Sequence, residues 1–165
     1  MPKRIPILSS LFHPLFIPTY GMLLLNAASS QQVPLPKAYQ WVSVLGTFLL
    51  TAAFSGGYIL ILRMTGRISS IYLTRPEERT APYIVTLIGL GLWCYFLRAI
   101  LHVPTFAFVA ALSGIGVLVV VAVINLKWKI SAHLTGWGAL TGSVIGYALQ
   151  MHVYPFWMLA TLLIL

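Results

Sequence analysis

The sequence predicts an all-α membrane protein, a polytopic transmembrane helix bundle of about six spans. Of its 165 residues, 59% are hydrophobic and only 7% are charged, whereas a soluble domain carries about 25% charged residues. The long apolar runs have no polar face, which is typical of helices that are buried or in contact with lipid. A soluble fold of this length has too little interior for so much apolar surface, so we expect a bilayer around it.

Six apolar runs are candidate spans, because about 20 apolar residues are needed to cross the hydrocarbon of a bilayer. They cover residues 7–26, 41–62, 81–101, 105–126, 131–150 and 153–165. The first run is interrupted by Pro14 and Pro18 and no small-x-small cleavage site follows it, so it is interpreted as a kinked membrane helix and not as a signal peptide. The segment 63–80 is the most polar part of the chain, with four arginines and both acidic residues.

Residues 1–165 are expected to form a single transmembrane helical domain that is incomplete at its C-terminus. The last run, 153–165, has only thirteen residues, and it would place the terminal carboxylate in hydrocarbon at a high cost in free energy. A short, tilted helix that thins the bilayer locally is the alternative.

The net charge of +8 comes from basic residues at the ends of the apolar runs, where such residues orient helices and contact anionic lipid. No exposed basic domain is present, so nucleic acid is not an expected partner. With the N-terminus in the cytoplasm, two basic residues, Lys37 and Arg98, lie on the outer side. The cytoplasmic side then holds Lys3, Arg4, Arg63, Arg67, Arg75, Arg79, Lys127 and Lys129. This bias predicts an integral protein of the cell (inner) membrane with a cytoplasmic N-terminus.

Gly138, Gly142 and Gly146 form a double GxxxG pattern on one face of the fifth span. Glycine allows two helix backbones to approach closely, so this face is expected to pack against another helix. Packing within the chain is the preferred interpretation, and a homo-oligomer formed through the same three glycines is the alternative.

Two polar clusters could bind an anion. In the first, Thr74 and Glu77 fit a capping box that would start the third helix, with Arg75 and Arg79 beside its positive N-terminal end. In the second, Ser131 is a candidate N-cap of the fifth helix. His133 follows in its first turn and Lys129 precedes it. Both clusters can also be explained without a ligand, the first as a solvated charge cluster and the second as a cap with interfacial anchors.

The predicted topology puts both clusters at the same membrane face, so one bundle could gather their side chains around one phosphate. The candidate phosphate-binding residues are Arg75, Arg79, Lys129 and Ser131, and the candidate catalytic residue is His133.

At these residues the chain resembles the type 2 phosphatidic acid phosphatase superfamily, over roughly residues 63–165. Arg75-Pro76 matches the Arg-Pro of the first motif, and Arg67 precedes it by one residue more than the family spacing. Ser131 and His133 match the Ser and His of the Pro-Ser-Gly-His motif, with Ile130 and Ala132 in place of Pro and Gly. The third motif, a Ser-Arg followed by His-x-x-x-Asp, is absent from this sequence.

The resemblance implies hydrolysis of a lipid phosphate monoester or diphosphate through a phosphohistidine, with no metal and no cofactor. Arg75 would hold phosphate oxygens, Ser131 would position them and His133 would protonate the leaving group. The nucleophilic histidine would belong to the missing motif, so we expect this chain to be inactive by itself. The alternative is a non-enzymatic membrane protein that binds anionic lipid or a partner; a transporter is less supported, because the spans contain almost no charges.

Three further histidines are present. His102 and His152 fall on the opposite side of the membrane from the two clusters, while His13, beside Pro14, could face the interior of the bundle. No histidines or acids have the spacing of metal ligands, so no metal is expected.

Overall fold

The computed structural model describes residues 13–29, 35–71, 73, 75, 77–128, 130–152, 156 and 160. This part of the chain is helical and contains no strand. Its main helices are α1 (Ile17–Ser29), α2 (Lys37–Met64), α3 (Thr80–Ala99), α4 (Thr105–Asn125) and α5 (Ala132–Met151). Short 3₁₀ turns, Pro14–Phe16 and Glu77–Arg79, lead into α1 and α3.

Three of the described helices are long and apolar enough to cross a membrane, namely α2, α4 and the stretch Glu77–Ala99 that contains α3. They confirm the predicted runs 41–62, 81–101 and 105–126 as long apolar helices. The described part of α1 has 13 residues, fewer than the ~20 that a span requires. The all-helical prediction is therefore confirmed, but the six-span bundle is not, and most of the run 153–165 lies outside the described residues.

Along α2 and α3 the contacting positions run in opposite order, Ser55 with Thr86, Leu50 with Gly89 and Gly46 with Trp93, so these two helices are antiparallel. The main helix contacts are α3 with α4, α2 with α3, α1 with α2, and α5 with both α4 and α1. One end of the bundle, called here the His13 end, carries His13, the segment 63–79 and the start of α5. The opposite end carries the start of α2 and the segment 100–104 between α3 and α4, which are joined by a hydrogen bond from the Tyr39 hydroxyl to the Leu101 carbonyl.

Buried hydroxyl and amide groups join neighbouring helices. The Asn26 side chain on α1 donates to Ser43 Oγ on α2 at 2.9 Å, and the Ser55 and Thr86 hydroxyls of α2 and α3 lie 2.9 Å apart. Ser43 and Ser55 are almost completely buried. Because polar groups inside a membrane bundle require partners, these contacts fix the pairing of α1, α2 and α3.

The middle of α2 is π-helical over Phe48–Ala53, and two glycines accommodate the close packing of this helix on α3. A Cβ added to Gly89 would lie 2.1 Å from the Leu50 carbonyl oxygen, which belongs to the π-helical segment. A Cβ added to Gly46 would lie 2.1 Å from the ring of Trp93. Only glycine therefore fits at these two positions without a shift of the backbone or the ring.

The glycine pattern of the fifth span does not pack as the sequence predicted. A Cβ at Gly138, Gly142 or Gly146 would meet no heavy atom of the described residues within 4 Å, and all three positions are exposed. The face of α5 that packs on the bundle carries Gly136, Leu140, Val144 and Tyr147. The GxxxG pattern therefore lies on a different face of α5 from the one that packs on the bundle. A homo-oligomer formed through the three glycines stays a prediction.

Candidate functional site

A cavity of about 640 Å³ lies between the helices and reaches the His13 end of the bundle. Its volume is in the range of ligand-binding pockets. At the His13 end it is lined by His13, Arg79, Ser131 and His133, and away from that end the lining is largely apolar, including Met22, Leu25, Leu118, Val121 and Val144. No acidic side chain is present among the described residues that line it.

His13 and His133 face each other in this cavity, with ring centroids 6.0 Å apart and an edge-to-face angle of 70°. His13 is the N-cap of the 3₁₀ turn Pro14–Phe16, and its Nδ1 accepts a hydrogen bond from the Leu15 N–H at 3.4 Å. Pro14 suits the first position of this turn, because it has no N–H to satisfy there. His13 and Pro14 therefore start this turn together, and the cap holds the imidazole just before α1.

The close contact of α1 with α5 brings the two histidines together. The Ile17 Cδ1 atom lies where a side chain on Gly136 would be, only 2.4 Å from the Cβ position that an alanine would occupy. Ile17 follows His13 by one helical turn, and Gly136 follows His133 by three residues. Glycine at 136 thus allows the starts of α1 and α5 to pack side by side, which brings His13 close to His133.

Ser131 caps α5, as the sequence predicted. Its Oγ accepts a hydrogen bond from the Leu134 N–H at 3.3 Å, and its carbonyl oxygen accepts one from the Thr135 N–H at 3.1 Å. The cap starts the helix at Ala132 and places His133 in the first turn. Both Ser131 and His133 are exposed, so they are accessible from outside the bundle.

Arg79 connects the segment 63–79 to the start of α5. Its Nε donates to the Leu73 carbonyl at 2.7 Å, and its Nη1 donates to the Ile130 carbonyl at 2.8 Å. Because a guanidinium carries more N–H groups than these two contacts use, others remain for an anion as far as the described residues show. The half-buried position of Arg79 in the cavity lining makes those groups available to a ligand.

The predicted site residues are only partly brought together. Arg79, Ser131 and His133 line the same cavity, whereas Arg75 is exposed and is not part of the lining. Lys129 lies outside the described residues, as do Thr74 and Pro76. α-Helical geometry begins at Thr80 with Arg79 as its N-cap. The capping box predicted that Glu77 lies in the first turn of an α-helix. It lies instead in the 3₁₀ turn before α3.

The structure adds three residues to the candidate site. His13 was recognised in the sequence as able to face the interior, but nothing in the local pattern paired it with His133. The Tyr83 hydroxyl and the Trp93 indole Nε1 are buried and have no hydrogen-bond partner in the described part of the chain, and both residues line the cavity. Buried polar atoms normally have partners, so a ligand with oxygen atoms would satisfy them.

Within the described ranges, no three His, Cys, Asp or Glu side chains come together as metal ligands would. Comparisons with protein-family models, with curated proteins and with solved structures return no match. The fold and the site define an all-helical membrane protein with an apolar cavity that has histidines and an arginine at one end. The relationship to the type 2 phosphatidic acid phosphatases stays a prediction that depends on the short motifs around Arg75, Ser131 and His133.

Proposed function

We propose that this protein binds a phosphorylated lipid. Its phosphate would lie among His13, Arg79, Ser131 and His133, and its hydrocarbon chain would occupy the apolar part of the cavity. The observation that carries this proposal is the division of one cavity into a basic end and an apolar remainder. A lipid phosphate has the same two parts, a compact anion and a long apolar chain.

Three features of the basic end favour an anion there. The described lining contains no carboxylate, so a phosphate would meet no like charge. The N-terminus of α5 contributes free N–H groups and the positive end of a helix dipole beside Ser131 and His133. Arg79 adds a permanent positive charge on a planar group that matches phosphate oxygens.

The position of Tyr83 favours a glycerolipid. Tyr83 follows Arg79 by four residues on α3, which corresponds to a rise of about 6 Å along the helix. A phosphate held by Arg79 would place the ester oxygens of a glycerolipid near the Tyr83 hydroxyl, which has no other partner among the described residues. Phosphatidic acid is therefore a suitable probe, and diacylglycerol, which lacks only the phosphate, is its matched control.

In the orientation that the basic residues favour, the His13 end of the bundle faces the cytoplasm and the ligand comes from the inner leaflet of the cell membrane. This placement agrees with the exposure of Arg63, Arg67 and Lys127 at the same end of the helices. A lipid phosphate could then enter the site with its headgroup in the interface and its chain in lipid.

The first test is the affinity of the purified protein, in nanodiscs of uncharged lipid, for phosphatidic acid. We expect the His133→Asn variant to bind about tenfold or more weakly, because a hydrogen bond to a charged group is lost. His102→Asn is the control. His102 is exposed at the opposite end of the bundle and has a φ of 50°, which asparagine tolerates. Equal affinities of His133→Asn and the unaltered protein would contradict the proposal.

Hydrolysis of the bound phosphate ester is a second candidate function, and the pairing of two histidines at the phosphate position favours it. In this reaction His133 would give its proton to the lipid oxygen as the P–O bond breaks. Water would then supply the oxygen that completes inorganic phosphate, and one of its protons would return to His133. Release of inorganic phosphate from phosphatidic acid by the protein, and its loss in His133→Asn, would support this function. Binding without any release of phosphate would leave lipid binding as the function.

A further inference from the structure

The two nitrogen atoms of His13 are in different situations. Nδ1 accepts the Leu15 N–H and caps the turn before α1. A neutral imidazole has one N–H and one lone pair. Because the lone pair is on Nδ1, the proton of the neutral ring is on Nε2. The cap therefore fixes the tautomer of His13.

Protonation of His13 is disfavoured by its neighbours. A proton on Nδ1 would face the Leu15 N–H, and the cap would be lost. His13 is also partly buried, and a positive charge on it would lie beside His133, whose ring centroid is 6.0 Å away. Like charges at such distances repel each other more strongly in a partly buried site than in water.

From this geometry we infer that His13 binds the phosphate of the ligand as a neutral donor through its Nε2–H. This inference rests on the proposed lipid-phosphate site and assigns a hydrogen-bonding role to His13 within it. The same tautomer leaves no lone pair on Nε2, so His13 does not act as the nucleophile of a phosphoryl transfer.

Capping alone does not account for a histidine at this position. Serine, threonine, aspartate and asparagine are the preferred N-caps, and each would satisfy the Leu15 N–H with a smaller side chain. The additional atoms of the imidazole extend into the cavity and face the ring of His133. Nε2 is thus the part of the His13 side chain that the cap does not require.

Two substitutions of His13 distinguish the capping role of Nδ1 from the donor role of Nε2. Asparagine places an acceptor where Nδ1 is and has nothing at the position of Nε2, so His13→Asn should keep the cap. Glutamine is longer and can place an N–H near the position of Nε2, but it is a poor cap. We expect His13→Asn to melt at the temperature of the unaltered protein and to bind phosphatidic acid about tenfold or more weakly. His13→Gln should melt at a lower temperature and keep its affinity within about threefold.

The experiment measures the affinity for phosphatidic acid and for diacylglycerol, together with the melting temperature, for both variants and for His133→Asn. If His13→Asn binds as well as the unaltered protein while His133→Asn does not, His13 is only a cap. The inference about His13 then fails, and the proposed lipid-phosphate site stands. If the unaltered protein does not prefer phosphatidic acid to diacylglycerol, the proposed function itself fails. Should His13→Asn melt early, His13→Gln decides, because a loss of affinity in that variant as well contradicts the donor role.

Discussion

Ser131 has two roles at the start of α5, one in the fold and one in the candidate site. Its Oγ accepts the Leu134 N–H and its side chain also lines the cavity. Ser131→Asp keeps an acceptor at the cap but adds a negative charge where the phosphate is proposed to bind. We expect this variant to retain the melting temperature, because aspartate is a good N-cap, and to bind phosphatidic acid much more weakly.

Ser131→Ala is the matched variant for this test. It removes the cap without adding charge, so it should lower the free energy of unfolding by about 1 kcal/mol and weaken binding less than Ser131→Asp does. If Ser131→Asp bound phosphatidic acid with unchanged affinity, the phosphate would not lie beside the start of α5.

The residues of the site differ in how far the sequence predicts them. The cap at Ser131 depends on its immediate neighbours, and the sequence predicts it. The contact of His13 with His133 joins positions 120 residues apart, and it depends on the way Ile17 packs on Gly136, which no local pattern reveals. The sequence offered both Arg75 and Arg79, and only Arg79 lines the cavity. Which arginine does so depends on where α3 begins, and the capping box placed that start too early.

At the scale of the helices, the π-helical segment of α2 determines how closely α3 can approach. Gly89→Ala would place a methyl group 2.1 Å from the Leu50 carbonyl oxygen, so the two helices would have to separate. We expect a loss of about 1–3 kcal/mol in the free energy of unfolding, the range for overpacking of an interior. The melting temperature in detergent measures this loss.

Gly91→Ala is the control on the same helix. Gly91 is exposed, and a Cβ there would meet no described atom within 4 Å. Alanine favours the helix by about 0.5–1 kcal/mol over glycine, so this variant should melt at the same or a slightly higher temperature. A Gly89→Ala variant as stable as Gly91→Ala would mean that Leu50 and Gly89 are not in close contact.

The spans α2, α3 and α4 follow from the sequence because lipid requires long apolar helices, and such runs are visible in the composition alone. Helix packing does not follow in the same way. Several glycine patterns compete, and the pattern that looked strongest, at Gly138, Gly142 and Gly146, faces away from the described bundle. The packing glycines are isolated ones, Gly46, Gly89 and Gly136, whose role depends on the residues opposite them.

At the scale of the whole molecule, the basic residues predict a cytoplasmic His13 end, and α2 provides a direct test. It extends over 28 residues, about 42 Å at the rise of an α-helix, so both of its ends should project beyond the hydrocarbon. Ala38 and Met64 are exposed near the two ends. In a Cys94→Ala background, which removes the one native cysteine, either position can be replaced by cysteine without changing the basic residues.

In intact bacterial cells, an impermeant maleimide should label the Ala38→Cys variant and should label Met64→Cys only after the cells are opened. The expected contrast follows from the excess of basic residues at the end that includes Met64. The reverse pattern would place the His13 end outside the cell and would contradict the inner-leaflet source of the ligand.

The central claim is that the cavity distinguishes a lipid phosphate from the same lipid without its phosphate. The most direct measurement is the melting temperature of the unaltered protein with increasing phosphatidic acid or diacylglycerol, because a ligand that binds the folded state stabilises it. The account predicts a saturable rise of several degrees with phosphatidic acid and little change with diacylglycerol. Equal stabilisation by the two lipids would mean that the histidine and arginine side chains do not bind a phosphate.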